Sequence, residues 1–147
     1  MLKKTKKPYQ WFWHRTEGAV AVEFAILLPV LIAVLFGIID FGDLFMKEHL
    51  ITNASREGAR YGVAYRVDSS NNRILPSSQT TQIKSVVNNY LTGLLPTGSW
   101  TVPNPAYDST TRQLTVTVNA TKSWYGPLGF VLANPFSFSA STVMIAE

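Results

Sequence analysis

A long run of apolar residues near the N-terminus is the strongest pattern in this chain. The run extends from Ala19 to Ile39, and Glu23 is its only charged residue. A helix over these 21 residues would be about 31 Å long at 1.5 Å per residue, close to the roughly 30 Å hydrocarbon core of a bilayer. The pattern therefore predicts a transmembrane helix over residues 19–39.

The helical pattern continues beyond Ile39 and becomes amphipathic. Apolar positions recur at near-helical spacing at Leu50, Ala54, Tyr61 and Tyr65. The expected polar face consists of Lys47, Glu48, Arg56, Glu57 and Arg60. Within it, the cluster of Arg56, Glu57 and Arg60 is interpreted as solvated rather than as a binding site. We expect one nearly continuous helix from Ala19 to about Tyr65, roughly 70 Å long, with residues 40–65 outside the membrane.

Two glycines lie near the end of this expected helix, at Gly58 and Gly62. Each would weaken a helix by about 1 kcal/mol unless close packing compensates. Their spacing predicts either a seat for the domain that follows or fraying of the helix end.

Residues 66–147 have the patterns of a small α+β domain. Residues 68–78 are rich in turn formers, and a second helix is predicted from Thr80 to Leu95, ended by Pro96. Its apolar side comprises Ile83, Val86, Val87, Tyr90, Leu91 and Leu94. The period then changes to two, which predicts three short antiparallel strands around residues 100–102, 114–120 and 136–140. The expected fold class is α+β: a long N-terminal transmembrane spine helix, one further helix and a short antiparallel sheet.

The connector between the last two predicted strands, Trp124 to Phe136, is unusually apolar for a loop. We expect it to fold back over the edge of the sheet as part of the core. If it were exposed instead, it would form an apolar patch that marks a contact with another subunit.

The net charge of +4 belongs to the N-terminal leader. The charged residues of the leader, residues 1–18, are Lys3, Lys4, Lys6, Lys7, Arg15 and Glu17, and the rest of the chain is formally neutral. Positive charges beside an apolar segment stay on the cytoplasmic side of a membrane, so the N-terminus is predicted to be cytoplasmic and the chain after about Asp40 external. Topology explains the basic leader, and no nucleic-acid partner is expected.

The sequence contains no constellation typical of an enzyme. The chain has no cysteine, which excludes disulfides, cysteine zinc sites and thiol nucleophiles. His14 and His49 would lie on opposite sides of the membrane, and Asp68 and Asp108 are interpreted as turn formers. The kinase-like triplet at residues 40–42 is interpreted as coincidence, because none of the accompanying kinase motifs is present. We therefore expect no catalytic residue, no metal site and no cofactor.

Glu23 is the residue that points most directly to function. A charged residue in a transmembrane helix costs at least roughly 2.5 kcal/mol on insertion scales, so it is retained mainly where a partner pairs with it. A plain membrane anchor would have no use for it. A secretory signal peptide would have a shorter apolar core, of roughly 7–15 residues, and a small-residue cleavage site that is missing here.

The order of parts around Glu23 resembles a known family. A basic leader is followed by Gly18, then by Ala19 to Glu23 and by Phe24. This order resembles the class III signal of type IV pilins, and specifically the TadE-like pseudopilins of tight-adherence (Flp-type) pili. The resemblance covers residues 16–62 and depends on the joint match of Gly18, Glu23, Phe24, Pro29 and Arg60.

The resemblance implies a processed minor pilin with a pilin-like fold. A prepilin peptidase would cut between Gly18 and Ala19, which makes Glu23 the fifth mature residue and Phe24 the sixth. Implied partners are this peptidase, other Tad pseudopilins, the major Flp pilin, the inner-membrane assembly platform and membrane lipid. The implied location is the bacterial inner membrane, with possible transfer into the pilus; the implied roles are pilus assembly and surface adhesion. The alternative is a permanently anchored, exported binding module with a pilin-like anchor.

Elementary electrostatics gives Glu23 a role in assembly. Cleavage creates an α-amine on Ala19 in or beside the apolar phase, and an unpaired ammonium and an unpaired carboxylate are both strongly unfavourable there. A pair between Glu23 and the amine of a neighbouring subunit removes both penalties and sets the register of a filament. Helix packing is predicted along the small residues Ala21, Ala25, Ala33 and Gly37, with a bend at Pro29.

Overall fold

The computed structural model describes residues 15–132 and 134–146. The basic residues 3–7 of the leader and His14 lie outside the described residues. The helices are α1 (Arg15–Val63), α2 (Thr80–Leu91) and α3 (Leu128–Val131), with a short 3-10 helix (Pro76–Gln79) immediately before α2. The strands are β1 (Trp100–Thr101), β2 (Ala106–Asp108), β3 (Gln113–Lys122) and β4 (Phe136–Ile145). The predicted α+β fold class is confirmed.

The spine helix α1 has 49 residues and is therefore about 74 Å long. It continues without interruption through Pro29 and ends at Val63, two residues before the expected end. Its N-terminal half is long and apolar enough to cross a membrane, and none of its most apolar stretch is buried against the rest of the chain. The structure thus contains the expected long apolar helix that leads into a small domain.

Helix α2 begins at Thr80 as predicted but ends at Leu91, so the predicted end at Leu95 is wrong. The backbone of Thr92 is extended, and its hydroxyl donates a hydrogen bond to the carbonyl of Asn88 (2.7 Å). Gly93 follows with a φ of +84°, a left-handed conformation that glycine adopts at no steric cost. These two residues end the helix before Pro96 is reached.

The sheet is antiparallel throughout, with β3 at its centre. Strand β4 pairs with β3 along all ten residues, from Gln113 with Ile145 to Lys122 with Phe136. Strands β1 and β2 pair with the opposite edge, because Thr115 pairs with Ala106 of β2 as well as with Val143 of β4. The three predicted strands are present, whereas β2 was missed because its three residues follow Pro105 in a turn-like segment.

The core lies between one face of β3 and the two long helices. It contains Ile51, Ala54 and Ala59 of α1, Ile83, Val87 and Leu91 of α2, and Leu114, Val116, Val118 and Ala120 of β3. The hydroxyls of Ser55 and Thr142 share a hydrogen bond of 2.7 Å, which joins α1 to β4 within this layer. Of the predicted apolar positions of α1, Tyr65 is exposed because the helix has already ended.

The turn predictions and the solvated interpretation of the Arg56, Glu57 and Arg60 cluster are confirmed. The carboxylate of Asp68 accepts hydrogen bonds from the backbone N–H groups of Ser70 and Asn72 (both 2.8 Å), and the carboxylate of Asp108 binds the turn after β2 in the same way. Arg60 and Glu57 form an exposed ion pair of 2.9 Å on α1. These charges belong to local turns and to a solvated helix face.

Gly58 and Gly62 form the seat on which the domain packs, rather than a frayed end. A Cβ atom on Gly58 would lie 2.5 Å from a methyl of Val87, and one on Gly62 would overlap the side chains of Leu114 and Ile83. The missing side chains therefore allow α1 to approach α2 and β3 closely.

Gly62→Ala is expected to lower the free energy of unfolding by about 1–3 kcal/mol, because the new methyl group must displace core side chains. Thermal unfolding of the full chain in detergent micelles, followed by circular dichroism, measures the effect. Gly42→Ala is the matched control, since a Cβ there meets open space and gains up to about 1 kcal/mol in helix propensity. Equal unfolding temperatures for the two variants would contradict the close packing at Gly62.

Candidate membrane and assembly site

The predicted site residues all lie on the N-terminal half of α1, on its outer surface. The exposed ones are Gly18, Ala19, Ala21, Glu23, Phe24, Ala25, Pro29 and Ala33, and Gly37 is half-buried. A Cβ added at Gly18 or Gly37 would meet nothing within 4 Å. The exposed positions are therefore not used by the packing of the chain itself and are available to contacts from outside.

Glu23 is exposed on an otherwise apolar stretch of helix. Among the described residues, none forms a hydrogen bond or an ion pair with its carboxylate. It lies four residues after Ala19, about 6 Å along the helix axis, and Phe24 beside it is 60% exposed. Apart from the half-buried Gly37, the sequence-predicted residues thus lie on an exposed, apolar stretch of helix with Glu23 as its one carboxylate.

A second group of interacting side chains lies on α1 just after its apolar segment. The sequence pattern did not predict that these charged residues come together. The ammonium group of Lys122, at the end of β3, donates hydrogen bonds to Asp40 Oδ1 (2.9 Å) and Asp43 Oδ2 (2.8 Å). Lys47 Nζ, one turn further along α1, also donates to Asp43 Oδ2 (2.8 Å). We call Asp40, Asp43, Lys47 and Lys122 the ion-pair cluster.

The ion-pair cluster is fully buried at Asp40 and Lys122, while the side chains of Asp43 and Lys47 keep 21% and 10% exposure. Among the described residues, no buried side-chain nitrogen or oxygen atom lacks a hydrogen-bond partner. The side chains of Asp40 and Lys122 are both 0% exposed. The backbone N–H of Tyr125 donates to both oxygens of Asp40 (3.1 and 3.0 Å), and the ring of Tyr125 lies 4.9 Å from Lys122 Nζ. Because a buried charge is tolerated only when it is paired and hydrogen-bonded, this cluster attaches the end of β3 to one place on α1.

The contacts within the cluster favour the charged forms of Asp43 and Lys122. Partial burial disfavours the charge on Asp43, but hydrogen bonds from Lys122 and Lys47 outweigh it and hold the pKa of that carboxyl below its ordinary value. Burial likewise disfavours the charge on Lys122, whereas its hydrogen bonds to Asp43 and Asp40 raise the pKa of the ammonium group. The stabilisation by Asp43 is lost as pH falls through its lowered pKa, and that by Lys122 is lost as pH rises through its raised pKa. Both contributions are present at neutral pH.

One sequence expectation is corrected here, because Lys47 was expected on the polar face of α1 but is buried in the cluster. Asp40, noted in the sequence only as part of the kinase-like triplet, is a buried partner of Lys122. The spacing of Asp40, Asp43 and Lys47 shows that they share one side of a helix. Lys122 is 82 residues from Asp40 and only the fold brings it there.

The apolar connector is exposed along most of its length, so the expectation that it joins the core is wrong except at Trp124. The ring of Trp124 is buried between Phe41 and Phe136, at centroid distances of 5.8 and 5.6 Å. Phe130 and Val131 of α3 are 94% and 81% exposed. The connector is exposed because it extends along α1 beyond the end of the sheet, where no other described element covers it.

These features define a class of protein. The apolar N-terminal half of α1 fits a membrane anchor, and the small helix-on-sheet domain at its end completes a membrane-anchored, pilin-like architecture. Within the described residues there is no group of three or more histidine, aspartate and glutamate side chains that could hold a metal ion.

Residues 18–60 match the family model of the TadE-like proteins, which confirms the resemblance drawn from the sequence. The match begins at Gly18 and covers nearly all of the spine helix. The matched family is one of pilus-associated proteins whose role is structural rather than catalytic. No curated protein and no solved structure gives a significant match to the chain.

Proposed function

We propose that this chain is a minor pilin, or pseudopilin, of a tight-adherence type IV pilus and acts in pilus assembly and surface adhesion rather than in catalysis. The observation that carries the proposal is the coincidence of the family match at residues 18–60 with an exposed carboxylate, Glu23, on an apolar helix. Its partners in this role are other Tad pseudopilins, the major pilin and the assembly platform of the inner membrane.

The proposed topology follows from the charge pattern and the helix. Residues 1–18 are a cytoplasmic leader, residues 19–39 cross the inner membrane, and residues 40–65 extend the spine outside it. Residues 66–147 form the exported domain. The basic leader supports this orientation, because positive charges beside an apolar segment are retained in the cytoplasm.

Processing acts as the switch for assembly in this proposal. Cleavage between Gly18 and Ala19 converts a neutral peptide bond into an α-amine with an ordinary pKa of about 7.7–8.0, so that much of it carries a positive charge at neutral pH. Glu23 of one subunit pairs with the new amine of its neighbour, and the small residues of the helix allow the close approach that this pair needs. Before cleavage no amine exists at this position, so Glu23 of one subunit cannot pair with an uncleaved neighbour.

The exported, permanently anchored binding module remains the alternative, and it needs neither cleavage nor Glu23. The two functions therefore differ in the N-terminus of the protein recovered from membranes.

The mature chain is expected to begin at Ala19 in cells with an active prepilin peptidase and at Met1 in cells without it. N-terminal sequencing or intact-mass measurement of the purified protein decides between them. Gly18→Val is expected to prevent cleavage, because a branched side chain blocks the position before the cut, whereas Gly42→Val in the same helix should be cleaved normally. A start at Met1 in both strains would remove the processing step and favour the anchored binding module.

A further inference from the structure

We propose that the exported domain makes a second contact with the membrane through residues 125–132, which we call the membrane-facing loop. In this proposal the loop inserts into the interfacial region of the lipid bilayer, on its outer side. The inference goes beyond the assembly role and depends only on the proposed spanning segment, residues 19–39.

The contacts of the connector with α1 show that it runs towards the membrane. The ring of Trp124 lies on Phe41, and the backbone N–H of Tyr125 binds Asp40. A Cβ on Gly126, whose φ is +62°, would lie 2.9 Å from the ring of Phe36. Phe36 is three residues inside the end of the spanning segment, about 4.5 Å below the level of Ile39. The loop therefore begins at the depth where the apolar part of α1 ends and passes below it.

The chemistry of the loop suits the boundary between water and lipid. Tyr125 is 53% exposed, and amphipathic aromatic rings are enriched at this level of a membrane. The short helix α3 then presents Phe130 and Val131 almost fully to the surroundings. Interfacial segments bury such apolar groups about 5–10 Å into the boundary between headgroups and acyl chains. No charged residue occurs in the sequence between Lys122 and Glu147 to oppose this insertion.

The ion-pair cluster removes the charges that would otherwise face the lipid here. Between Phe24 and Met46 the charged residues of α1 are Asp40 and Asp43, and both are held by Lys122. The exposed side chains at this level are apolar, such as Phe41, Phe45 and Met46. The apolar surface of the spanning helix thus continues onto the membrane-facing loop. The one partly exposed charge in between, the 21% exposed side chain of Asp43, is paired with Lys122 and Lys47.

This continuity is the reason for choosing lipid over a second protein as the occupant. A partner subunit would need a matching apolar surface at this one depth, whereas the bilayer around the spanning helix is already there. The helix and the loop together hold the domain at two points, which restricts its rotation about α1.

Site-directed fluorescence tests the proposal on the full chain. The chain has no cysteine, so Val131→Cys can be labelled with an environment-sensitive dye after reconstitution into phosphatidylcholine and phosphatidylglycerol vesicles. Ile32→Cys, in the spanning segment, is the lipid control, and Ser85→Cys, exposed on α2, is the water control. At low protein density, quenching by iodide at position 131 is expected to be at least about threefold weaker than at position 85, as for a group buried in the interface. Brominated lipid should quench the label at position 131.

A charge placed beside the label sharpens the test. Phe130→Asp in the Val131→Cys background should restore iodide quenching to the level of position 85, whereas Phe130→Leu should not. Both changes are at a side chain that is 94% exposed, so the fold is unaffected.

Two results would overturn the inference. Iodide quenching at position 131 equal to that at position 85 would place the loop in water. Protection that grows with protein density, without quenching by brominated lipid, would assign the loop to a contact between subunits. If iodide quenched the label at position 32, residues 19–39 would not span the bilayer, and the proposed anchor would be wrong as well. If iodide quenched the label at position 131 but not at position 32, only this inference would fail and the proposed function would stand.

Discussion

Glu23→Val is expected to abolish incorporation into pili while leaving membrane insertion intact or improved. Removing one partner of a buried ion pair leaves the other charge unpaired, at a cost of about 3–5 kcal/mol. Since each 1.4 kcal/mol is tenfold in an equilibrium constant, incorporation should fall by more than about a hundredfold. Insertion should not suffer, because valine removes the one charge from the apolar run of residues 19–39.

The measurement compares sheared pili and membrane fractions from cells that express each variant, by quantitative immunoblotting. Glu48→Val is the matched control, because Glu48 lies on the same helix and is exposed beyond the spanning segment. Glu23→Gln keeps the size of the side chain without its charge and should behave as Glu23→Val does. Normal pili with Glu23→Val would require the pairing hypothesis to be dropped, and the exposed carboxylate would then need a different partner.

Lys122→Met is expected to destabilise the α+β domain by about 3–5 kcal/mol, because Asp40 would remain as a buried carboxylate without its cation. This is a large fraction of the 5–15 kcal/mol by which a typical domain is stable. For a domain of 60–100 residues, 1 kcal/mol shifts the unfolding temperature by about 4–8 °C, so the midpoint should fall by at least about 12 °C. The signal to follow is near-ultraviolet circular dichroism of the full chain in detergent micelles.

Two further variants separate the buried pair from the general effect of losing a lysine. Lys84 is on the surface of the fold and makes one hydrogen bond, of 3.3 Å, to Asn104, so Lys84→Met should change stability by no more than about 0.5 kcal/mol. Adding Asp40→Asn to Lys122→Met should recover most of the loss, because the amide removes the unpaired buried charge while its oxygen can still accept the hydrogen bond from the backbone N–H of Tyr125. If Lys122→Met were as stable as Lys84→Met, the ion-pair cluster would have no part in attaching the sheet to the spine.

Much of the candidate assembly surface could be predicted from the sequence because its features are local. Gly18, Glu23 and the apolar run to Ile39 are neighbours along the chain, and a helix keeps neighbours in a known spatial relation. The spine helix, the start of α2 and the positions of β3 and β4 follow from periodicity alone. Periodicity did not predict the end of α2, because a local hydrogen bond from Thr92 to the carbonyl of Asn88 ends that helix early.

The sequence by itself determined the membrane-length helix, the α+β class and the single carboxylate on the apolar face, since each depends on residues within a few turns of one another. The tertiary structure alone decided what lies far apart in the chain: Lys122 beside Asp40, the core against Gly62, and the exposure of Phe130. The physical reason is that hydrophobic and polar patterns specify which side of an element is buried, but not which distant residue covers it. The packing of the sheet against α1 decides that, and it places an apolar loop beside the apolar N-terminal half of the spine instead of inside the core.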